Sequence, residues 1–300
     1  MNTSNTGYRL IGRNIGSTFL VLICLCALGQ AAPALKRIGP GLYAYISDKD
    51  GSANSTFLVG TDGILVVDTG VNTTEGNKLL AAIRSISNLP VKYIVNTHYH
   101  PDHQGGNAVV GPEAVVMSTE WTRERTIAIS RTQDGANGVQ FRSASLTFSE
   151  GVTIHVDPYV AKVYFPGKAH TSGDAVVYFP QQRAIAMGDL FLTRSSPAMD
   201  QGSARSWIRA LDQVLELPVE SIVPGHFELA GKPELRRFRD YLNDLYGQVE
   251  SMYKQHATIE SVRHNLHMEK YSDFRQYPNY AATFADNAET IYRQLQQQSP

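Results

Sequence analysis

Cysteine and excess basic charge are both scarce in this sequence. The 300 residues include only two cysteines, Cys24 and Cys26, and 27 Lys and Arg residues against 28 Asp and Glu give a formal net charge of -1. Two cysteines so close to the N-terminus cannot form a disulfide framework, and they offer the remainder of the chain no thiolate ligands for a metal. A nearly neutral chain without a polybasic run has no electrostatic attraction to nucleic acid or anionic lipid, so we expect neither as a partner.

The sequence also lacks an apolar run long enough for a comfortable membrane span. Its longest, "STFLVLICLCALG" at residues 17–29, follows Arg9 and Arg13 and leads into the small residues of "GQAAPA". A basic segment, a short apolar segment and a small-residue zone are typical of a secretory signal. We predict a signal peptide at residues 1–34, and therefore a periplasmic or secreted protein with no stable membrane association after cleavage. The alternative is an uncleaved N-terminal anchor.

Apolar runs separated by turn residues predict an α/β architecture. The segments "GLYAYIS", "SANSTFLVG", "GILVVDTG", "VKYIVNT", "AVVMS", "VTIHV", "KVYFP", "AVVYFP", "AIAMGD" and "SIVPGH" resemble strands, whereas "TTEGNKLLAAIRSIS", "EWTRERTIAISR" and "RSWIRALDQVLEL" have helical spacing. From residue 232 onwards the pattern is helical. These patterns predict a layered α/β domain at residues 35–231 and a helical C-terminal extension at 232–300 that packs on the same domain.

The stretch "NTHYHPDHQGGN", residues 96–107, concentrates side chains that bind metals. It places His98, His100, Asp102 and His103 within six positions, directly after a predicted buried strand. Imidazole and carboxylate are the usual zinc ligands where no thiolate exists. In an extended turn His98 and His100 can point the same way, while Asp102 and His103 can reach a second point. One loop could therefore serve two metal ions, but it cannot saturate either.

Three further residues with ligand side chains follow predicted strands and have glycine nearby. They are His170 in "GKAHTSGD", Asp189 in "AMGDLF" and His226 in "VPGHFE". A ligand at a strand end is held by the rigid sheet while the loop around it stays open to substrate. These positions could supply what the histidine loop lacks.

This ordered set of motifs, HxHxDH, a lone His, Gly-Asp and Gly-His, resembles that of the metallo-β-lactamase superfamily from about residue 37 to residue 230. The resemblance implies an αββα sandwich with a metal centre at one edge. It implies that one metal is bound by His98, His100 and His170, a second by Asp102, His103 and His226, with Asp189 bridging them. It also implies that Asp68, in "VVDTG", braces the histidine loop from outside the ligand set.

The resemblance further implies a hydrolase with two Zn²⁺ ions per chain, although iron or manganese could occupy the same ligands. A hydroxide held between the two ions would attack a carbonyl carbon, and Asp102 would orient it and accept its proton. A closed structural zinc site is disfavoured, because such sites usually contain cysteine. A metal-free relative is disfavoured by the complete ligand set.

The substrate is the least determined property, because this fold serves many reactions. The second ligand group has no cysteine, unlike many β-lactamases, and a bridging Asp189 is more like thioesterases and lactonases of the superfamily. The leading hypothesis is hydrolysis of a small ester, lactone or thioester. The alternatives are a β-lactamase and a metal-binding accessory protein of a periplasmic system. Neither the oligomeric state nor the loaded metal follows from the sequence.

Overall fold

The structure is a computed structural model that describes Met1 and residues 33–49, 51–133, 139, 141–193, 195–199, 201–276 and 280–298. Nearly all of the predicted signal peptide, residues 2–32, lies outside the described residues. The described residues from 33 onwards form one compact unit. Among the described residues, no helix is both long and apolar enough to cross a membrane.

The first sheet has seven strands in sequence order. They are β1 (Ala34–Gly39), β2 (Leu42–Ile46), β3 (Ser55–Val59), β4 (Ile64–Val67), β5 (Val91–Val95), β6 (Val115–Thr119) and β7 (Leu146–Phe148). Pairing is antiparallel from β1 to β4 and parallel from β4 to β7. Every residue of β4 is buried, as expected for a strand covered on both faces.

The second sheet has five strands in the order β12-β11-β10-β9-β8. They are β8 (Gly151–Val156), β9 (Tyr159–Tyr164), β10 (Val176–Phe179), β11 (Ala184–Ala186) and β12 (Ser221–Val223). The β11–β12 pair is parallel and the others are antiparallel. The carboxyl ends of β11 and β12 therefore meet at one edge of this sheet.

Three hydrophobic clusters show how the layers are stacked. The first contains side chains of both sheets, among them Val67 and Val95 from one and Val177 and Ala186 from the other, and is the core between the sheets. The second joins the outer face of the first sheet to helix α1 (Thr73–Arg84). The third, the largest, covers the outer face of the second sheet with helices. The order of layers is thus αββα, which confirms the predicted fold class.

The remaining helices are distributed over both faces. They are α2 (Pro101–Gln104), α3 (Asn107–Val110), α4 (Glu120–Gln133), α5 (Ala204–Glu216), α6 (Lys232–Lys254), α7 (Ile259–Asn265) and α8 (Tyr280–Gln298). The third cluster includes Trp207 of α5, Phe238 and Tyr241 of α6, and Ile291 of α8. The segment from residue 232 onwards therefore shares its core with the second sheet.

Two strands differ from the sequence-based expectation. Neither β1 ("ALKRIG") nor β7 ("LTF") was predicted, because β1 carries two adjacent basic residues and β7 is only three residues long with Leu146 exposed. Both are edge strands, where partial exposure removes the hydrophobic alternation on which prediction depends.

Candidate metal centre

All seven candidate ligands lie at one edge of the sandwich, where strands end. His98, His100, Asp102 and His103 follow β5, Asp189 follows β11, and His226 follows β12. His170 comes from the connection between β9 and β10. Two groups of potential ligand atoms result, each with its atoms within 4.8 Å of one another. One contains His98, His100, His170 and Asp189, and the other contains Asp102, His103 and His226.

In the first group three imidazole nitrogens converge. Nδ1 of His100 lies 3.0 Å from Nε2 of His98 and 3.0 Å from Nε2 of His170. A single N–H on one ring cannot be shared effectively by two acceptors in different directions. Three nitrogens with lone pairs facing one point are the arrangement that a cation satisfies.

The carboxylate of Asp189 lies between the two groups. Its Oδ2 is 3.7 Å from Nε2 of His170, and its Oδ1 is 3.2 Å from Nε2 of His103 and 3.4 Å from Nε2 of His226. In the second group, Oδ2 of Asp102 is 3.1 Å from Nε2 of His226 and 3.4 Å from Nε2 of His103. One oxygen of Asp189 faces each group, which is the geometry that a bridging ligand requires.

Three of the histidines are held through the nitrogen that faces away from the centre. Nδ1 of His98 is 3.2 Å from Oγ1 of Thr97, Nδ1 of His103 is 2.8 Å from Oδ2 of Asp68, and Nδ1 of His170 contacts the carbonyl oxygen of Ala198. A donated hydrogen bond at Nδ1 leaves the lone pair on Nε2, directed at the centre. Such outer contacts are typical of metal-binding histidines.

Asp68 braces the histidine loop at three points. Its Oδ1 accepts from the backbone N–H of Thr97 at 2.9 Å, and its Oδ2 accepts from Oγ1 of Thr97 at 2.8 Å and from Nδ1 of His103. The residue is buried and has a φ of 56°, in the left-handed region that Asp and Asn tolerate better than most residues. The structure thus places Asp68 behind His103, outside the two ligand groups.

The directions of their pKa shifts divide four of the histidines into two classes. Burial lowers the pKa of His98 well below its usual value, and nearby His103 and His100 lower it further. Burial also lowers the pKa of His170. Burial alone would lower the pKa of His103 too, but the carboxylates of Asp102 and Asp189 outweigh it, and the pKa lies well above its usual value.

His226 shares the raised pKa of His103. Burial opposes the shift, while Asp189 and Asp102 raise the pKa. The pKa values of Asp189 and Asp102 are correspondingly lowered, although burial acts to raise both, because His226 and His103 lie close. Both carboxyl groups are therefore ionised near neutrality and surrounded by donors that compensate their negative charge.

The residues present fit a bound metal. Nε2 of His103 and Oδ1 of Asp189 are buried, and neither makes a hydrogen bond of acceptable geometry. An unsatisfied buried polar atom is costly, on the order of 1–3 kcal/mol. Two such atoms lie 3.2 Å apart within a set of five imidazoles and two carboxylates, and this donor set fits a divalent cation.

A cavity of about 590 Å³ opens onto the centre and is large enough for a small-molecule substrate. Its floor includes His170, Asp189 and His226. Its walls come from the β2–β3 connection with Ser47 and Ser52, from Leu192 and residues 195–198, and from Thr283 of α8. The C-terminal helical segment therefore contributes to the wall of the pocket.

Gly225 explains why a glycine precedes His226. A Cβ at this position would lie 2.0 Å from Oδ1 of Asp189 and 2.7 Å from the carbonyl carbon of Gly188. No side chain can be placed there without moving the carboxylate. The "PGH" sequence thus lets the His226 loop pass directly over Asp189.

Comparison with known proteins agrees with this geometry. The family model described as "Metallo-beta-lactamase superfamily" matches residues 48–226, which is more than half of the chain and includes all seven candidate ligands. The chain belongs to the metallo-beta-lactamase superfamily. Relatives of the chain in this superfamily are hydrolases. The protein is an enzyme of this superfamily, and its clustered His and Asp side chains could hold metal.

Curated relatives within the superfamily are distant. The chain is 28% identical over 181 residues to 2,4-dinitroanisole O-demethylase subunit alpha of Nocardioides sp. (strain JS1661), covering 59% of the chain and 53% of that protein. It is 23% identical over 208 residues to metallo-beta-lactamase IND-1 of Chryseobacterium indologenes, covering 67% of the chain and 82% of that protein. The chain thus matches about half the length of the first of these relatives.

Solved structures of the superfamily share the fold. A metallo-beta-lactamase from Pontibacter korlensis aligns with a TM-score of 0.60 at 24% identity, over 70% of the chain and 99% of that structure. The stereoselective inverting sec-alkylsulfatase Pisa1 from Pseudomonas sp. aligns with a TM-score of 0.68 at 16% identity, over 87% of the chain and 50% of that structure. At these identities the likeness concerns the fold alone.

Sequence reasoning missed the residues that hold the loops. Asn54 is buried, and its Nδ2 donates to the carbonyl oxygens of Pro224 at 3.0 Å and Phe227 at 2.8 Å, on either side of His226. In the sequence "NST" it resembles a glycosylation site. Its partners are backbone carbonyls about 170 residues away, and no pattern in one sequence reveals such contacts.

Proposed function

We propose that the protein is an exported dinuclear metal hydrolase that cleaves a small ester, lactone or thioester. The position of Asp189 carries the proposal, because its two oxygens face two separate groups of ligand atoms. Zinc suits a set of imidazole and carboxylate ligands without thiolate, although iron or manganese is compatible with the same donors. The ligands would be His98, His100 and His170 on one side and Asp102, His103 and His226 on the other, with Asp189 shared.

When bound, divalent ions in such a pair lower the pKa of water and polarise a substrate carbonyl. The chain's own contribution is to hold and orient. The carboxylate of Asp102 is ionised, because the lowered pKa keeps it so near neutrality, and its side chain is one-quarter exposed beside His226. It can therefore accept a hydrogen bond from an attacking water and orient that water towards a substrate carbonyl.

The cavity supports catalysis over metal storage. A site that only stores or carries metal gains nothing from open space next to its ligands, whereas a cavity of about 590 Å³ reaches His170, Asp189 and His226. Ser47, Ser52 and Thr283 line it together with apolar residues such as Leu192 and Pro197. This lining suits a small substrate with a polar carbonyl and an apolar portion.

A β-lactamase is the second candidate. It is favoured by the 23% identity to a protein named metallo-beta-lactamase IND-1, over 82% of that protein's length. The same centre could attack a β-lactam amide, because both reactions begin at a carbonyl carbon.

Hydrolysis assays with a nitrocefin, lactone and thioester panel distinguish the candidates. The purified protein, prepared without chelator and with its metal content measured on the same sample, should hydrolyse a lactone or thioester and leave nitrocefin intact. Rapid nitrocefin hydrolysis would favour the β-lactamase. Absence of turnover on every substrate, with metal bound, would contradict the proposed hydrolase.

Export rests on the N-terminal sequence pattern. Residues 1–34 fused to a reporter that is active only outside the cytoplasm should give signal, and loss of Arg9 and Arg13 should reduce it. A reporter that stays inactive would contradict export without affecting the proposed chemistry.

A further inference from the structure

One metal-facing histidine depends on a segment that the ligand motifs do not include. Nδ1 of His170 donates to the carbonyl oxygen of Ala198, in the segment 195–199 after Asp189. This backbone oxygen is the hydrogen-bond acceptor that orients the His170 ring. The segment 195–199 has no regular secondary structure, so something else must fix the position of its carbonyl groups.

Asn287, in the middle of α8, holds that segment through three hydrogen bonds. Its Oδ1 accepts from the backbone N–H of Met199 at 2.6 Å, and its Nδ2 donates to the carbonyl oxygen of Pro197 at 3.0 Å and to Oγ of Ser196 at 3.2 Å. The side chain is 1% exposed. Two of its partners are the residues on either side of Ala198.

A second contact from α8 holds the backbone just beyond the segment 195–199. Nε2 of Gln294 donates to the carbonyl oxygen of Gly202 at 2.9 Å. A Cβ at Gly202 would lie 1.6 Å from the carbonyl oxygen of Ala169, so the backbone at 202 passes directly against the residue before His170. Helix α8 thus holds the segment around the His170 loop at two points.

We propose that Asn287 is a positioning residue for His170: by fixing Pro197 and Met199, it fixes the Ala198 carbonyl and thereby the direction of the His170 Nε2 lone pair. This inference rests on the proposed function only in assigning His170 as a metal ligand. It gives the C-terminal helix a role in the centre itself. The same segment lines the substrate cavity through Ser195, Ser196 and Ala198.

The physical argument is one of rigidity. A buried Asn with three satisfied hydrogen bonds has one side-chain conformation, since any rotation leaves polar groups unpaired. The helix beneath it is anchored by Ala288 and Ile291 in the core against the second sheet. Direct hydrogen-bond partners of metal-binding histidines, such as the Ala198 carbonyl, change metal affinity by about 10- to 100-fold when removed, and displacement of that carbonyl should act in the same way.

The test compares four variants of the full mature chain. Asn287→Ala removes all three bonds, and Asn287→Asp keeps only the acceptor for Met199. Leu295→Ala weakens the packing of α8 while keeping Asn287, and Asp286→Ala changes an exposed neighbour. Leu295→Ala is the control for simple loss of stability.

Three readouts are needed, two with metal and one without. With Zn²⁺, competition against a chromophoric chelator should show one of two ions bound about 10- to 100-fold more weakly in both Asn287 variants, and normally in both controls. With Co²⁺, the visible spectrum should change in the Asn287 variants only. In the metal-free protein, NMR of the imidazole nitrogens should show a single His170 tautomer protonated at Nδ1, which becomes a mixture in Asn287→Ala.

Wild-type values for affinity, Co²⁺ spectrum and His170 tautomer in both Asn287 variants would overturn the inference. Equal changes in Leu295→Ala would also overturn it, because they would trace the effect to stability alone. If the wild-type protein bound no metal, the proposed function would fail, and the His170 tautomer would still decide whether Asn287 positions the ring.

Discussion

Oδ1 of Asp189 lies 3.2 Å from Nε2 of His103, and both atoms are buried without a properly formed hydrogen bond. The other oxygen of Asp189 faces His170 in the neighbouring group. A bound cation would satisfy both atoms of such a pair. The proposal that two metal ions share Asp189 depends on this contact.

Replacement of Asp189 by Ala should reduce metal content from two ions to about one per chain and suppress turnover, because the shared ligand is lost. Inductively coupled plasma mass spectrometry and the hydrolysis assay measure the two effects. Glu124→Ala, which removes an exposed carboxylate of α4, is the matched control and should change neither. Unchanged stoichiometry and rate in Asp189→Ala would remove Asp189 from the centre.

Asp102→Asn should nearly abolish hydrolysis. The amide is close in size to the carboxylate, but it has no negative charge to orient an attacking water and is a weaker ligand. The turnover number measured under saturating metal separates loss of the orienting carboxylate from loss of metal, since only the second is rescued by added Zn²⁺. Retained turnover would contradict the role of Asp102.

Asp68→Asn and Asp68→Ala should differ in stability and agree in metal affinity. Asn has one acceptor oxygen where the carboxylate has two, so it cannot serve both the backbone N–H of Thr97 and Nδ1 of His103, and Ala serves neither. Chelator competition should therefore show metal affinity about 10- to 100-fold weaker in both variants. Asn tolerates the φ of 56°, whereas Ala should lose a further ~1–2 kcal/mol of unfolding free energy. Wild-type metal affinity in Asp68→Asn would show that the brace does not act on the centre.

Metal binding near neutral pH should release protons, mainly from His103 and His226. The pKa of each is raised by Asp102 and Asp189 despite burial, so both rings carry protons that a metal must displace. His98 and His170, whose pKa values burial lowers, are neutral and release few.

Metal affinity should consequently rise with pH until His103 and His226 are deprotonated. Calorimetry in buffers of different ionisation enthalpy counts the released protons, and His226→Ala should lower the count. Binding heats independent of the buffer would contradict this assignment of charge.

Gly225→Ala should impair the centre while leaving the fold intact. The added methyl group would lie 2.0 Å from Oδ1 of Asp189, so the carboxylate must move. Weaker metal binding and lower turnover are expected. Gly247→Ala is the control, because its Cβ would meet nothing within 4 Å and α6 should gain up to about 1 kcal/mol of stability from the substitution. Normal activity in Gly225→Ala would mean that the Asp189 position is not critical.

The sequence predicted the parts of the fold where apolar periodicity is strong, and the ligands that follow those strands. Strands β4 and β11 could be recognised because they are buried throughout, and β5 because most of its residues are apolar and buried. The ligands after β5 and β11 are found by following the chain past each strand. The edge strands β1 and β7 could not, because exposure interrupts their pattern. Asn287 and Asn54 could not either, since each acts on backbone atoms far away in the sequence. What the sequence conceals is therefore the support of the ligands rather than their identity.

The most direct test of the central claim is the metal stoichiometry of the mature chain, purified without chelator and measured by native mass spectrometry. The account predicts two divalent ions per chain in the wild type. A wild-type chain that binds no metal, or that saturates at one ion, would contradict the shared role assigned to Asp189.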